Sequence, residues 1–221
     1  MKITHEQINS LGVVLGILLG GAGLWLQLQP KGEELSVDAG ELMRVDEPMQ
    51  TRLTAPLPRG NRTLVGPFYW RVMINNHSER AVSLKRADAV LNDALAGTYR
   101  VSGAFAGIYQ DDLRTPALPL TIPAYETRSV IVKGYLPGWL TMEAQAKCLK
   151  KGVTVREFDR CSITTATDIV GNRVQVIRSG GDFLGARWPT DIYNPKFVIS
   201  FTSGSNQEFK TSASFVPPGV T

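Results

Sequence analysis

The chain has 221 residues, 43% of them hydrophobic and 20% charged, with a formal net charge of +4. That balance excludes an intrinsically disordered chain and leaves length for one domain of ordinary size with a segment to spare. Residues 1–30 carry only Lys2 and Glu6, whereas residues 31–47 set six carboxylates against Lys31 and Arg44, so the remainder is more basic than the total. A basic domain of this kind suits anionic surfaces, although dispersed surface charge gives the same count.

The first element in chain order is a membrane anchor. From Leu11 to Leu26 every residue is apolar or glycine, which as a helix covers about 24 Å and, with its uncharged flanks, approaches the ~30 Å hydrocarbon core. Thr4 and Gln7 match a capping box before the run, Trp25 suits the far interface, and Pro30 stops the helix. Gly21-Ala22-Gly23 offers the small residues of a signal-peptidase site, but Leu24-Trp25-Leu26 carries the apolar run past it. The expectation is therefore a retained helix over residues 1–30, meeting the bilayer through residues 8–29. Gly12, Gly16 and Gly20 fall on one face of that helix, the small-xxx-small arrangement that lets a second helix approach and supports self-association or a protein partner.

Residues 31–59 read as an acidic stalk, with a first strand around Leu42–Val45. Residues 60–221 read as a β domain. Phe68, Trp70, Val72 and Ile74 alternate with Tyr69, Arg71 and Met73, the period-two pattern of a strand with one buried face. A turn at Asn75-Asn76 follows, then Val82 and Leu84 resume the alternation. Leu118, Leu120 and Ile122 give another strand, and Val130 and Val132 the next.

The stretch from Leu140 to Cys148 alternates apolar and polar residues but is built of helix formers; its periodicity predicts a strand. Val174 and Val176 follow Gly171-Asn172. A C-terminal hairpin pairs Phe197, Ile199 and Phe201 with Phe209, Thr211, Ala213 and Phe215 across Gly204-Ser205-Asn206. The stretches near 93–117 and 178–196 read as loop insertions. Short strands without alternating helices predict an antiparallel, immunoglobulin-like β-sandwich behind a single N-terminal transmembrane helix.

Cys148 and Cys161 are the two cysteines of the chain. Two cysteines alone make no four-ligand zinc site, and their proximity predicts a disulfide, which requires an oxidising compartment. Lys2 and Lys31 flank the anchor almost symmetrically, so the disulfide decides the topology and places the domain outside the cytoplasm.

Motifs for nucleophilic catalysis, phosphate binding, dinucleotide binding, zinc and calcium are absent from the sequence. No catalytic, cofactor or metal residue is assigned, and no nucleic-acid signal stands out. His77 sits in a turn, and Asp88, Asp111 and Asp112 could serve a tethered hydrolase only if they converged. Asn61-Arg62-Thr63 and Asn76-His77-Ser78 match the glycosylation acceptor pattern. Lys147, Lys150, Lys151, Arg156 and Arg160 crowd the cysteine loop and form a candidate surface for an anionic partner. The sequence thus favours a non-enzymatic, membrane-anchored envelope protein that binds another protein, over a tethered hydrolase or a cytoplasmic-facing sensor or scaffold.

Overall fold

Tryptophan 70 is the centre around which the chain folds, and the strand that carries it pairs on both sides. The computed structural model describes residues 32–52, 63–93, 97–189 and 192–215; the segment expected to be an anchor, with Gly12, Gly16 and Gly20, lies outside them. Among the described residues no helix is long and apolar enough to cross a membrane.

The chain is mainly β. In order it forms β1 (Leu35–Leu42), β2 (Gln50–Arg52), β3 (Thr63–Asn76), β4 (Val82–Asp93), β5 (Gly97–Tyr99), β6 (Phe105–Tyr109), β7 (Leu120–Ile122) and β8 (Thr127–Gly138). Two helices follow, α1 (Met142–Cys148) and α2 (Val155–Ile163), then β9 (Gln175–Ser179), β10 (Asp182–Arg187), β11 (Lys196–Ser203) and β12 (Glu208–Ser214). One antiparallel sheet has the order β1-β3-β8-β6, with β2 beside the start of β3. A second has the order β12-β11-β4-β5, with β7 also on β4, and β9 and β10 make a separate hairpin.

The alternating faces explain the pairing. On the first sheet Trp70 lies opposite Val132 and Val72 opposite Val130. On the second, Phe197 lies opposite Leu91 and Ile199 opposite Ala89. These apolar faces share one core: the Trp70 ring stacks on Phe197 at 5.5 Å, and Phe68 meets Phe215 at 5.6 Å. Buried aromatic pairs add a directional term to the area they remove from water. The indole Nε1–H donates to Ser214 O at 3.3 Å, and the Ala39 N–H donates to Thr211 Oγ1 at 3.1 Å, tying β1 to β12.

A register shift between Val65 and Phe68 marks a bulge at Gly66-Pro67. Proline has no N–H for the ladder, so it belongs at such a break. A Cβ on Gly66 would come within 2.7 Å of the Tyr135 ring, so only glycine lets the two strands approach here.

Three expectations are corrected. Residues 140–149 form a helix over Met142–Cys148, not a strand: Thr141 caps it by accepting from Ala144 N–H, and the residues buried are Ala144 and Cys148, four apart. The first strand spans Leu35–Leu42 rather than 42–45, since Leu35, Val37 and Ala39 pack on the core while Ser36 and Asp38 alternate outward toward Asn75. The stretches expected to be loops at 93–117 and 178–196 contain β5, β6 and β10.

Past β1 the chain is strapped down. Lys133 Nζ lies 2.9 and 3.0 Å from the two Glu47 carboxylate oxygens, and the Tyr69 hydroxyl donates to Glu47. Burial pushes the Tyr69 phenol up to about 12, with the Glu47 hydrogen bond adding to it. Burial alone would raise the Glu47 carboxyl, but its bonds to Tyr69 and Lys133 prevail and lower it. Cys148 and Cys161 are joined in a disulfide, their Cα atoms 5.6 Å apart, linking the end of α1 to α2.

Two outcomes are expected. Trp70→Ala should cost about 3–5 kcal/mol in urea denaturation, from lost burial, a cavity and an unmet Ser214 carbonyl; a cost under ~1 kcal/mol would mean the sheets do not depend on it. Replacing both cysteines with serine should cost about 3 kcal/mol in the chain-entropy treatment of a loop this short, read as a lowered unfolding midpoint that reductant no longer changes.

Candidate functional site

The strap from Leu42 to Met49 connects β1 to the start of α2. Met43 N–H donates to Tyr69 O, and Met49 N–H donates to Val153 O, each at 2.7 Å. Pro48 forms a β-bridge with Thr154, the N-cap of α2. Between strap and helix a groove of about 410 Å³ is left open, with Pro67, Phe68 and Phe215 also lining it. Leu42, Val45 and Val155 add apolar wall.

Helix α2 starts there because its sequence dictates it. Thr154 Oγ1 accepts from the Glu157 N–H, and the Glu157 carboxylate accepts from the Thr154 N–H, a reciprocal capping box. Phe158 and Ile163 turn inward to the core. Arg156 and Arg160, four residues apart, therefore stack on one helical face, and both line the groove. Arg44 reaches it from the strap. The Arg156 guanidinium has its pKa lowered by partial desolvation and then by the like charges of Arg160 and Arg44, with Asp46 opposing.

The ion pairs among the described residues are Arg71–Asp111, Arg100–Asp88, Arg128–Glu126, Lys133–Glu47 and Lys210–Glu208. None of them uses a groove arginine. Of the acids bordering the groove, Glu157 is committed to Thr154. Asp159 is 3% exposed, and its Oδ1 accepts from the Ile169 N–H at 2.9 Å. Burial pushes its carboxyl up to about 7; the Ile169 bond opposes this and the nearby Asp168 adds to it. Asp168 is itself raised by burial, against hydrogen bonds from Asn172 and Trp188.

The structure divides the cations expected around the cysteine loop. Arg156 and Arg160 line the groove, whereas Lys147 lies on α1 beside Thr164 Oγ1 at 3.3 Å. Lys150 and Lys151 are exposed in the turn between the helices. Arg44 was missed by sequence reasoning, because its neighbours in sequence are acidic and only the Pro48–Thr154 pairing brings it to α2.

The carboxylates considered for a hydrolase have separate partners. Asp111 pairs with Arg71 and Asp88 with Arg100, while Asp112 closes its own turn onto the Arg114 and Thr115 N–H groups. His77 Nε2 lies 2.9 Å from Ser36 Oγ. The Asn76 side-chain amide is buried within 2.8–3.0 Å of the Arg80, Ile122 and Pro123 carbonyls, so that acceptor pattern is structural. Among the described residues no group of three or more His, Cys, Asp or Glu side chains is placed to hold a metal ion.

No protein-family model matches the chain, and no curated protein matches it. Among solved structures, the X-ray structure of the Northeast Structural Genomics Consortium target SoR45 is similar at 13% identity, covering 85% of this chain and 89% of that one, with a TM-score of 0.30.

Asp159 gives this site a measurable pH signature. Its folded-state pKa is raised, so the folded chain holds the proton longer than the unfolded chain does. The stability contributed by its neutral form is fully present below about pH 4 and is lost as pH climbs from about 4 to about 7. Asp159→Asn keeps an acceptor for the Ile169 N–H. It should stabilise the domain by on the order of 2–4 kcal/mol near pH 8 and by little near pH 4. Equal effects at both pH values in thermal denaturation would show that the carboxyl titrates normally.

Proposed function

We propose that this chain is a single-pass membrane protein whose N-terminal helix holds an immunoglobulin-like β-sandwich in an oxidising envelope compartment, where the domain binds another protein and performs no chemistry of its own. The observation that carries the reading is the Cys148–Cys161 disulfide. Disulfides persist where thiols are not kept reduced, which favours the extracytoplasmic side of a membrane. The apolar run from Leu11 to Leu26 supplies the means of attachment. Two five-stranded antiparallel sheets with one aromatic core between their facing strands support the sandwich architecture. The binding role draws on the groove between strap and α2, and on the glycine face of Gly12, Gly16 and Gly20 as a second contact within the membrane.

Thiol accessibility of the full chain in intact cells tests compartment and pairing together. A membrane-impermeant maleimide should label the protein from outside only after reduction. Labelling that needs lysis but no reductant would place free thiols in the cytoplasm and overturn the reading.

A further inference from the structure

We infer that the groove between the strap and α2 is the docking site for an acidic peptide segment of the partner protein, its carboxylate held by Arg44, Arg156 and Arg160 and its neighbouring apolar side chain seated against Pro67 and Val155. This rests on the partner-binding reading above and names the chemistry of the partner.

The groove is complementary in charge to a carboxylate. Three arginines from two separate elements line one recess, and none of them takes part in an ion pair among the described residues. Like charges brought together in this way raise the energy of the unliganded surface, and an arriving carboxylate relieves it. Arginine presents a planar fork that fits a carboxylate through two parallel hydrogen bonds. The acids at the rim do not do this work: Glu157 caps the helix, Asp159 faces the Ile169 N–H, and Asp46 alone stands against three cations.

The shape of the groove also selects a peptide. An inorganic anion would satisfy the guanidiniums but leave the apolar wall of Leu42, Val45 and Val155 in water. A layer of lipid headgroups is a broad surface, which meets protruding cations better than cations around a recess. A peptide with an acidic residue beside an aliphatic or aromatic one covers both, and a volume of about 410 Å³ admits such a pair of side chains. Arginine is also among the residues on which binding energy concentrates at protein interfaces.

The test displays the full chain in nanodiscs to a random-peptide library. Peptides recovered on the native protein should be enriched for Asp or Glu adjacent to an apolar residue. Their affinity should fall about tenfold or more for Arg156→Gln combined with Arg160→Gln, and again for Arg44→Gln alone. All three side chains are exposed, so melting temperatures equal to or above that of the native protein are expected and separate lost binding from lost folding. Arg44→Gln, on another element, keeps the test decisive if the helix variant is unstable.

Recovery of peptides without acidic enrichment, or of acidic peptides that bind the variants equally well, overturns the groove while leaving a partner-binding domain in place. Recovery of no peptide overturns the groove as well, and the thiol labelling above then judges the broader reading by itself. Inorganic phosphate that displaces the peptides stoichiometrically and binds more tightly than any of them would show a bare anion site instead.

Discussion

The indole of Trp70 fixes the distance and the angle between the two sheets. It is wholly buried, stacked on Phe197 from the opposite sheet, and held by a hydrogen bond to the last residue of β12. A ring of that size, with a polar N–H that must find a partner, has few acceptable placements in a core. Once it is seated, β3 is committed, and with it the register of β1, β2 and β8 on either side. Because side chains alternate with period two, this commitment also decides what the outer face of β3 presents. Tyr69 is turned toward Glu47 and Lys133, and Arg71 toward Asp111.

That outer face builds the site. Glu47 sits between a buried tyrosine and a largely buried lysine that both need a partner, and so the segment after β1 is drawn across the sheet instead of leaving it. The same segment bridges to Thr154 and fixes where α2 begins. The disulfide then holds α2 to α1, which restricts the helix pair at its far end. The groove is what remains between elements positioned for these other reasons. It needs no induced change to exist, which lowers the ordering cost of any ligand that enters it.

Much of the β architecture was legible because burial on one face writes period-two alternation into the chain, as from Phe68 to Ile74 and from Phe197 to Phe201. The same rule misled at 140–148. Met142 is 88% exposed although it belongs to the alternating apolar set, and the residues that matter are Ala144 and Cys148 at helical spacing. Over so short a window the composition of helix formers and the Thr141 cap carried more information than the period. β1 was obscured for a different reason: its apolar residues are interleaved with Ser36 and Asp38, which reach the Asn75 side chain. For the site, Arg156 and Arg160 were visible as local cations. Arg44 was not, since a strap pairing across more than a hundred residues has no local signal.

A chain that folds without internal conflict would be expected to pair or disperse its charges, and over most of this surface it does. Arg71, Arg100 and Arg128 each have a carboxylate. The groove departs from that rule twice within one recess. Arg156 feels the like charges of Arg160 and Arg44, and in the same lining the Asp159 carboxyl is raised by burial. The Asp159 carboxyl accepts from the Ile169 N–H, and the charge that opposes the repulsion on Arg156 is that of Asp46. Local rules are broken with least consequence for folding where the energy is recovered on binding. A cation cluster left without ion pairs among the described residues is the feature on which the proposed docking of an acidic segment rests.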